Sequence, residues 1–381
     1  DNVLNSLFLA YFDSINDVAR ILLCKIVKNM RVIHPEIPIK IFGFLMSCPK
    51  SSPIKALKHI ATINSELLSP LLQPLVVYSF ESLNEELKTI NRETLIMNYL
   101  FLLSEFVGPF LELSNPDDFF SMTTMLLSLD DLESDTIEAI SGFFLSVLKY
   151  CNENGLKYSS LINNFLVFFL QHFQSSNCLD TFITDYGSVF IYLISYNQQT
   201  FLELNISAQL IGLLLSILSE SDATTKIIIC DIISLIVQID TGIDCCSMLL
   251  DQCTRYFTEP NEHFLLHLAL GLSNILSSIL WIHKSFHQIQ IMQLFVNITE
   301  NFIRIYKRQS DKHLTSLALL AIAEDPTIDI ILKEKARQIA TLLYQKELDD
   351  VDSDDEQLPS VISMLEDYPF LLPIQHKKIT F

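Results

Sequence analysis

Apolar residues recur along this chain at the spacing of a helix face, and the pattern leaves little room for anything else. Ile137, Ile140, Phe144, Val147, Leu148 and Cys151 fall at i, i+3, i+7, i+10, i+11 and i+14. Ile206, Leu210, Leu213, Leu214 and Ile217 repeat the stripe. Asn115-Pro116-Asp117-Asp118 places a capping side chain before a proline at the first helical position, with acids in the first turn. Asp325-Pro326-Thr327 follows the same logic and predicts a second helix start, and Thr258-Glu259-Pro260 is a weaker version.

Breakers such as Pro35/Pro38, Pro70/Pro74, Gly108-Pro109, Asn154-Gly155 and Thr241-Gly242 separate these runs by roughly 15–25 residues, so a pair of helices takes about 40 residues, the period of a HEAT or armadillo unit. That spacing predicts about 14–16 helices. Ile227–Ile239 is apolar on more than one face, as expected of a helix covered on both sides by stacked neighbours. No linker interrupts residues 3–346. The expected fold is therefore all-α, a superhelical solenoid of stacked antiparallel helix pairs over 1–346. An acidic linker over 347–358 and a hydrophobic C-terminal segment over 359–381 follow it.

Composition narrows the classes. Of 381 residues, 50% are hydrophobic, only 18% are charged and only 8 are glycine. Doubly wound and TIM-barrel enzymes need glycines in their βα turns and phosphate loops, and no GxxxxGK[ST], GxGxxG or GxSxG occurs. Mean hydropathy is +0.34, too high for a disordered chain. The longest charge-free stretch, Lys157 to Asp180, and the more apolar His263 to His283 carry internal Ser, Asn, Gln and His. They read as buried helices rather than bilayer spans. The start, with Asp1 and Asp13, shows no basic leader region. The cysteines show no framework spacing and read as buried free thiols of a reducing compartment.

Net charge is −20. Such a surface disfavours nucleic acid and suits basic protein partners. The acids crowd near the end: Asp349, Asp350, Asp352, Asp354, Asp355 and Glu356 form a candidate partner-binding run, with Ser353 a candidate phosphorylation site among them. The run fails as a calcium loop, because Asp355 stands where glycine is required and Val361 where a bidentate Glu belongs. Val361, Ile362, Met364, Leu365, Tyr368 and Phe370 beyond it suggest a cap or a docking peptide. Arg304, Lys307 and Arg308 are the basic cluster of note and a second candidate partner site. His263/His267 and His283/His287 share helix faces, but they lack the Glu of a metalloprotease helix and a CxxC. No catalytic residue, metal ligand or cofactor is expected. Asp231, inside an apolar helix, is expected to hydrogen-bond a neighbouring repeat. The lone Trp281 reads as core.

Three windows place an acid and then a base early in a helix ahead of an apolar face. They are Asp17-Val18-Ala19-Arg20-Ile21-Leu22, Asp222-Ala223-Thr224-Thr225-Lys226-Ile227-Ile228 and Glu334-Lys335-Ala336-Arg337-Gln338-Ile339-Ala340. These resemble the second helix of a HEAT repeat, whose acid and base build a ladder between successive repeats. Spacing varies among the three, and no such ladder is legible through residues 40–215. With the acidic charge, the chain resembles importin-β-type nuclear transport receptors. That resemblance implies a non-catalytic receptor that binds basic cargo and a small GTPase, moving between nucleus and cytoplasm, without membrane insertion. A HEAT scaffold of a multiprotein assembly is the alternative.

Overall fold

A computed structural model describes residues 1–89, 93–129, 132–154, 158–176, 178–240, 246–258, 266–306 and 308–349. Secondary structure among the described residues is helical throughout. Packing divides the chain into two units, Asp1–Phe165 and Leu166–Phe381.

Unit 1 contains α1 (Asn2–Tyr11), α2 (Asp17–Val27), α3 (Glu36–Ser47), α4 (Ser51–Asn64), α5 (Leu72–Thr89), α6 (Glu93–Glu105), α7 (Val107–Leu113), α8 (Pro116–Leu127) and α9 (Ser134–Glu153). The boundary falls within α10 (Ser159–Ser175). Contacts skip along the chain: α2 packs on α4, α4 on α6 and α6 on α9, while α1 packs on α3 and α5 on α7. Alternate helices therefore form separate rows, and α3–α4 and α5–α6 join them.

Local chemistry sets these ends. Asn115 caps α8 by accepting from the Asp118 N–H at 2.9 Å, with Pro116 at the first position, as its sequence predicts. Gly108-Pro109 does not end a helix. α6 and α7 meet at 94°, and Pro109 sits in the first turn of α7, where its missing N–H costs nothing. This bend, and short pieces such as α7, give more helices than the breaker spacing suggests. Ser51–Lys88 has the length and apolarity to cross a bilayer. It consists of α4, a 3-10 turn over Ser65–Leu71 holding Pro70, and α5. Ile54, Leu57 and Ile60 of α4 are fully buried in the unit.

The core of unit 1 is an aromatic chain. Phe8 stacks on Phe12, which meets Phe44 edge-on. Phe42, Tyr78 and Tyr99 continue through edge contacts. Phe80, Phe110, Phe143, Phe144 and Phe165 link the later helices at centroid separations of 5.4–6.1 Å, within the range of favourable ring pairs.

Unit 2 contains α11 (Leu179–Tyr196), α12 (Gln198–Glu203), α13 (Ser207–Leu218), α14 (Ala223–Ile239), α15 (Cys246–Thr258), α16 (Leu266–Ile282), α17 (Ile289–Asn301), α18 (Gln309–Glu324) and α19 (Ile330–Asp349). α11, α14, α16 and α18 pack in succession, and α15, α17 and α19 form a second row beside them. Asp222 caps α14 through the Thr225 N–H. The expected helix start at Asp325 is displaced. Asp325 ends α18, its carboxylate closes a turn on Thr327, and Asp329 caps α19 through the Leu332 N–H at 2.8 Å. Two Asx residues compete within five positions, and the later one lies next to the apolar run.

Candidate functional site

Two places gather charge among the described residues: a sealed network in unit 2 and an open cleft in unit 1.

The network grows from polar residues on otherwise apolar helices. Thr184 of α11 shares a hydrogen bond with Thr225 of α14 at 2.5 Å. Ser234 of α14 meets Ser278 of α16 at 2.6 Å, and Gln238 donates to the same Ser278 at 3.1 Å. Asn274 of α16 donates to Asp311 of α18 at 2.8 Å, and Ser277 shares a longer bond with Thr315. These partners lie 37–44 residues apart in sequence, so a period of about 40 is written in hydrogen bonds.

The acid-base windows account for only part of this ladder. Arg20 of the first window donates to the carbonyls of Phe12 and Asp13, and Lys335 of the third pairs with Glu300. Arg20 and Asp222 make local bonds and a cap, whereas Lys335 reaches from α19 to Glu300 and Asn297 of α17, the latter 38 residues earlier. The remaining rungs are hydroxyls and amides deep in the helices, a signal the sequence carries as isolated polar letters in apolar runs.

At the centre of the ladder lies an ionic triad. Arg308 donates from Nη1 and Nη2 to the two oxygens of Asp231 at 2.8 and 3.1 Å. Its Nε and Nη2 donate to Asp311 at 2.9 and 2.8 Å. Exposure is 3% for Asp231, 8% for Arg308 and 1% for Asp311. Burial pushes the Asp231 carboxyl up, against the pull of the Arg308 guanidinium. Burial alone would lower Arg308, but Asp231 and Asp311 hold it well above its ordinary value. The guanidinium is engaged on both edges, so Arg308 is an internal tie. This corrects its expected place on a partner-facing surface. Arg304 is exposed, and Lys307 lies outside the described residues.

The other expected sites resolve similarly. His283 bonds the Val237 carbonyl at 3.1 Å. His287 joins Asp325 at 2.6 Å and the Leu280 carbonyl at 2.7 Å, so each of its ring nitrogens faces an acceptor. Burial would raise Asp325, but hydrogen bonds from Thr327 and His287 bring it down to about 2. No group of three or more metal-ligating side chains gathers among the described residues. Burial pushes the thiols of Cys24, Cys151 and Cys253 up to about 12, which removes the thiolate that chemistry needs. Cys178 departs from the expected burial and is exposed. Trp281 is partly buried against Leu314 and Leu317. Asp349 ends α19. Ser353 and Asp350, Asp352, Asp354, Asp355 and Glu356 lie outside the described residues, as does the segment over 359–381.

The cleft in unit 1 encloses about 540 Å³ where α4, α6 and α9 run side by side. One wall is basic, with Lys28 at the end of α2 and Lys55, Lys58 and His59 on α4. The opposite wall carries Asp135 and Glu138 of α9. Met97 and Phe101 of α6 line the floor. The Lys58 ammonium lies 4.0 Å from the Phe101 ring centre, a cation–π contact. His59 Nε2 bonds the Met30 carbonyl at 2.9 Å, which fixes the ring. Sequence reading missed this cleft, because its residues are spread from 28 to 138 and carry no motif. Comparison with protein-family models, with curated proteins and with solved structures returned no match.

Proposed function

We propose that this chain is a non-catalytic, protein-binding helical solenoid of HEAT/armadillo type, serving as a scaffold in a multiprotein assembly. The observation that carries the reading is the pair of apolar rows left exposed at the start of unit 1. Val3, Leu7 and Tyr11 recur every fourth residue along α1, and Val18, Leu22 and Ile26 along α2. Val3 and Val18 are 72% and 69% exposed. Rows of this kind support an apolar, salt-resistant protein interface. The alternation of helix rows and the 40-residue spacing of the rungs support the solenoid. The turning of the buried carboxylates and guanidinium toward one another supports a structural role for these three charges.

A second reading, a nuclear transport receptor that grips basic cargo and engages a small GTPase, is favoured by the net charge of −20. Affinity capture from cell extract with washes of rising salt separates the two. The scaffold reading expects a small fixed set of proteins that survives high salt. Val18→Asp with Leu22→Asp should release that set. Many basic proteins leaving at low salt, with a GTPase among them, would replace the scaffold reading by the transport one.

A further inference from the structure

We infer that the cleft of unit 1 is a binding site for a dipolar peptide segment, one whose acidic side chains precede or follow basic ones across a short apolar stretch. The inference goes beyond the scaffold reading and rests on the cleft alone. Its two walls carry opposite charge on the same cavity: Lys28, Lys55 and Lys58 on one side, Asp135 and Glu138 on the other. Among the described residues no ion pair joins these walls, and none of the three lysines is paired with a carboxylate. Opposite charges that face one cavity without meeting set up a field across it, which a ligand of complementary charge order completes.

The floor decides the middle of that ligand. Met97 and Phe101 offer an apolar, polarisable surface, with the Lys58 ammonium held over the ring. A volume of about 540 Å³ lies in the range that encloses a drug-sized molecule or a few peptide side chains. A small inorganic anion is disfavoured, because Asp135 and Glu138 repel it. The three lysines also run against the whole-molecule trend, in a chain with 45 acids and 25 bases. An acidic group that the rest of the surface repels is steered here.

The test uses the full chain and fluorescence anisotropy with a fluorescein-labelled peptide of two glutamates, two leucines and two lysines in that order. Two companion peptides replace either the glutamates or the lysines by glutamine. Saturable binding of the dipolar peptide is expected, tighter than either companion by about tenfold. Lys55→Glu with Lys58→Glu should weaken it by about tenfold or more, and the exposed Lys149→Glu of α9 should leave it unchanged. Adding Asp135→Lys and Glu138→Lys to the double variant exchanges the two walls. The peptide then turns end for end, and affinity should return to within about threefold of the original. Circular dichroism checks that each variant is folded. If the charge reversals unfold the unit, Lys55→Ala replaces them, with an expected loss of about threefold. The inference is overturned if the dipolar peptide fails to bind at about 1 mM. Equal binding of all three peptides, equal weakening by Lys149→Glu, no recovery on wall exchange, or displacement by inorganic phosphate also overturns it. The salt-resistant partner set of the scaffold reading depends on α1 and α2, so the two can fail separately.

Discussion

The two units hold their helix rows together by different physics. Unit 1 interleaves aromatic rings from Phe8 to Phe165, contacts that depend on shape and area and that tolerate small shifts between neighbours. Unit 2 has rings too, around Phe169, Phe173, Phe182 and Phe190 on α10 and α11. Past α11 its rows are stitched by hydroxyls, amides and the Asp231–Arg308–Asp311 triad. A hydrogen-bonded rung in a dry interior has one good register and a high cost elsewhere. Buried polar pairing is concentrated in unit 2, whereas unit 1 relies more on ring packing, with Glu93 of α6 accepting from the Glu133 N–H and from Thr136 of α9 as a polar link. The open cleft with unpaired charge belongs to the unit whose helices are linked mainly through aromatic rings.

The largest effect should come from breaking the triad. Arg308→Ala leaves Asp231 and Asp311 facing each other in a buried site, a loss of about 3–5 kcal/mol. Hydrogen–deuterium exchange should show it as faster exchange in α14, α16 and α18, with α4, α6 and α9 unchanged. Replacing the triad as a whole, with Asp231→Leu, Arg308→Met and Asp311→Leu, should recover stability to within about 2 kcal/mol of the original, because no charge is then left unpaired. Acceleration spread evenly over both units would erase the distinction drawn between them.

Glycine offers a sharper, smaller comparison. A Cβ on Gly271 of α16 would lie 2.6 Å from the Cβ and 2.7 Å from the Sγ of Cys230 on α14. α14 and α16 make the most extensive contact in unit 2, and the nearest atom is the Cys230 Cβ, which moves only with its backbone. Gly271→Ala should cost about 1–3 kcal/mol by overpacking. A Cβ on Gly43 of α3 in unit 1 meets nothing within 4 Å, so Gly43→Ala should stabilise by up to about 1 kcal/mol through helix propensity. Thermal unfolding of the two variants should move the midpoint in opposite directions. A neutral Gly271→Ala would mean that the α14–α16 spacing is adjustable.

The periodic apolar positions made the all-helical class legible, because a 3.6-residue repeat survives without any tertiary information. Asp222, read as the acid of a ladder, is a cap as well, and Asn115 could be read as one because capping is settled within four residues. Asp325 could not, since Asp329 stands nearby with equal chemistry, and only packing chose between them. Asp231 was legible as a residue in need of a partner. Its partner Arg308 was not, lying 77 residues away in what reads as a surface basic cluster. The cleft was the least legible feature. Lys28, Lys55 and Glu138 acquire a common meaning only when α2, α4 and α9 are placed around one cavity.

The smallest predicted effect concerns pH, and it too belongs to unit 2. Burial pushes the Asp185 carboxyl of α11 up to about 6, and burial with the adjacent Asp185 raises Tyr186 as well. A carboxyl whose pKa is raised on folding favours the protonated folded state. Its stabilising contribution is complete below the ordinary value of 3.8 and is lost as pH rises through about 6. Asp325 has the opposite sign: held down at about 2, it adds stability above 3.8 that disappears as pH falls toward 2. Between pH 5 and pH 7 Asp325 is nearly constant and Asp185 is the one of the two that titrates. Asp185→Asn should therefore match the original protein near pH 4 and exceed it by about 1 kcal/mol at pH 7–8, after allowance for partial exposure to solvent. Urea unfolding at intervals of pH measures that difference directly. A gap that stays constant across the range would assign the effect of the substitution to lost hydrogen bonds, and would remove Asp185 as the ionisable strain within unit 2.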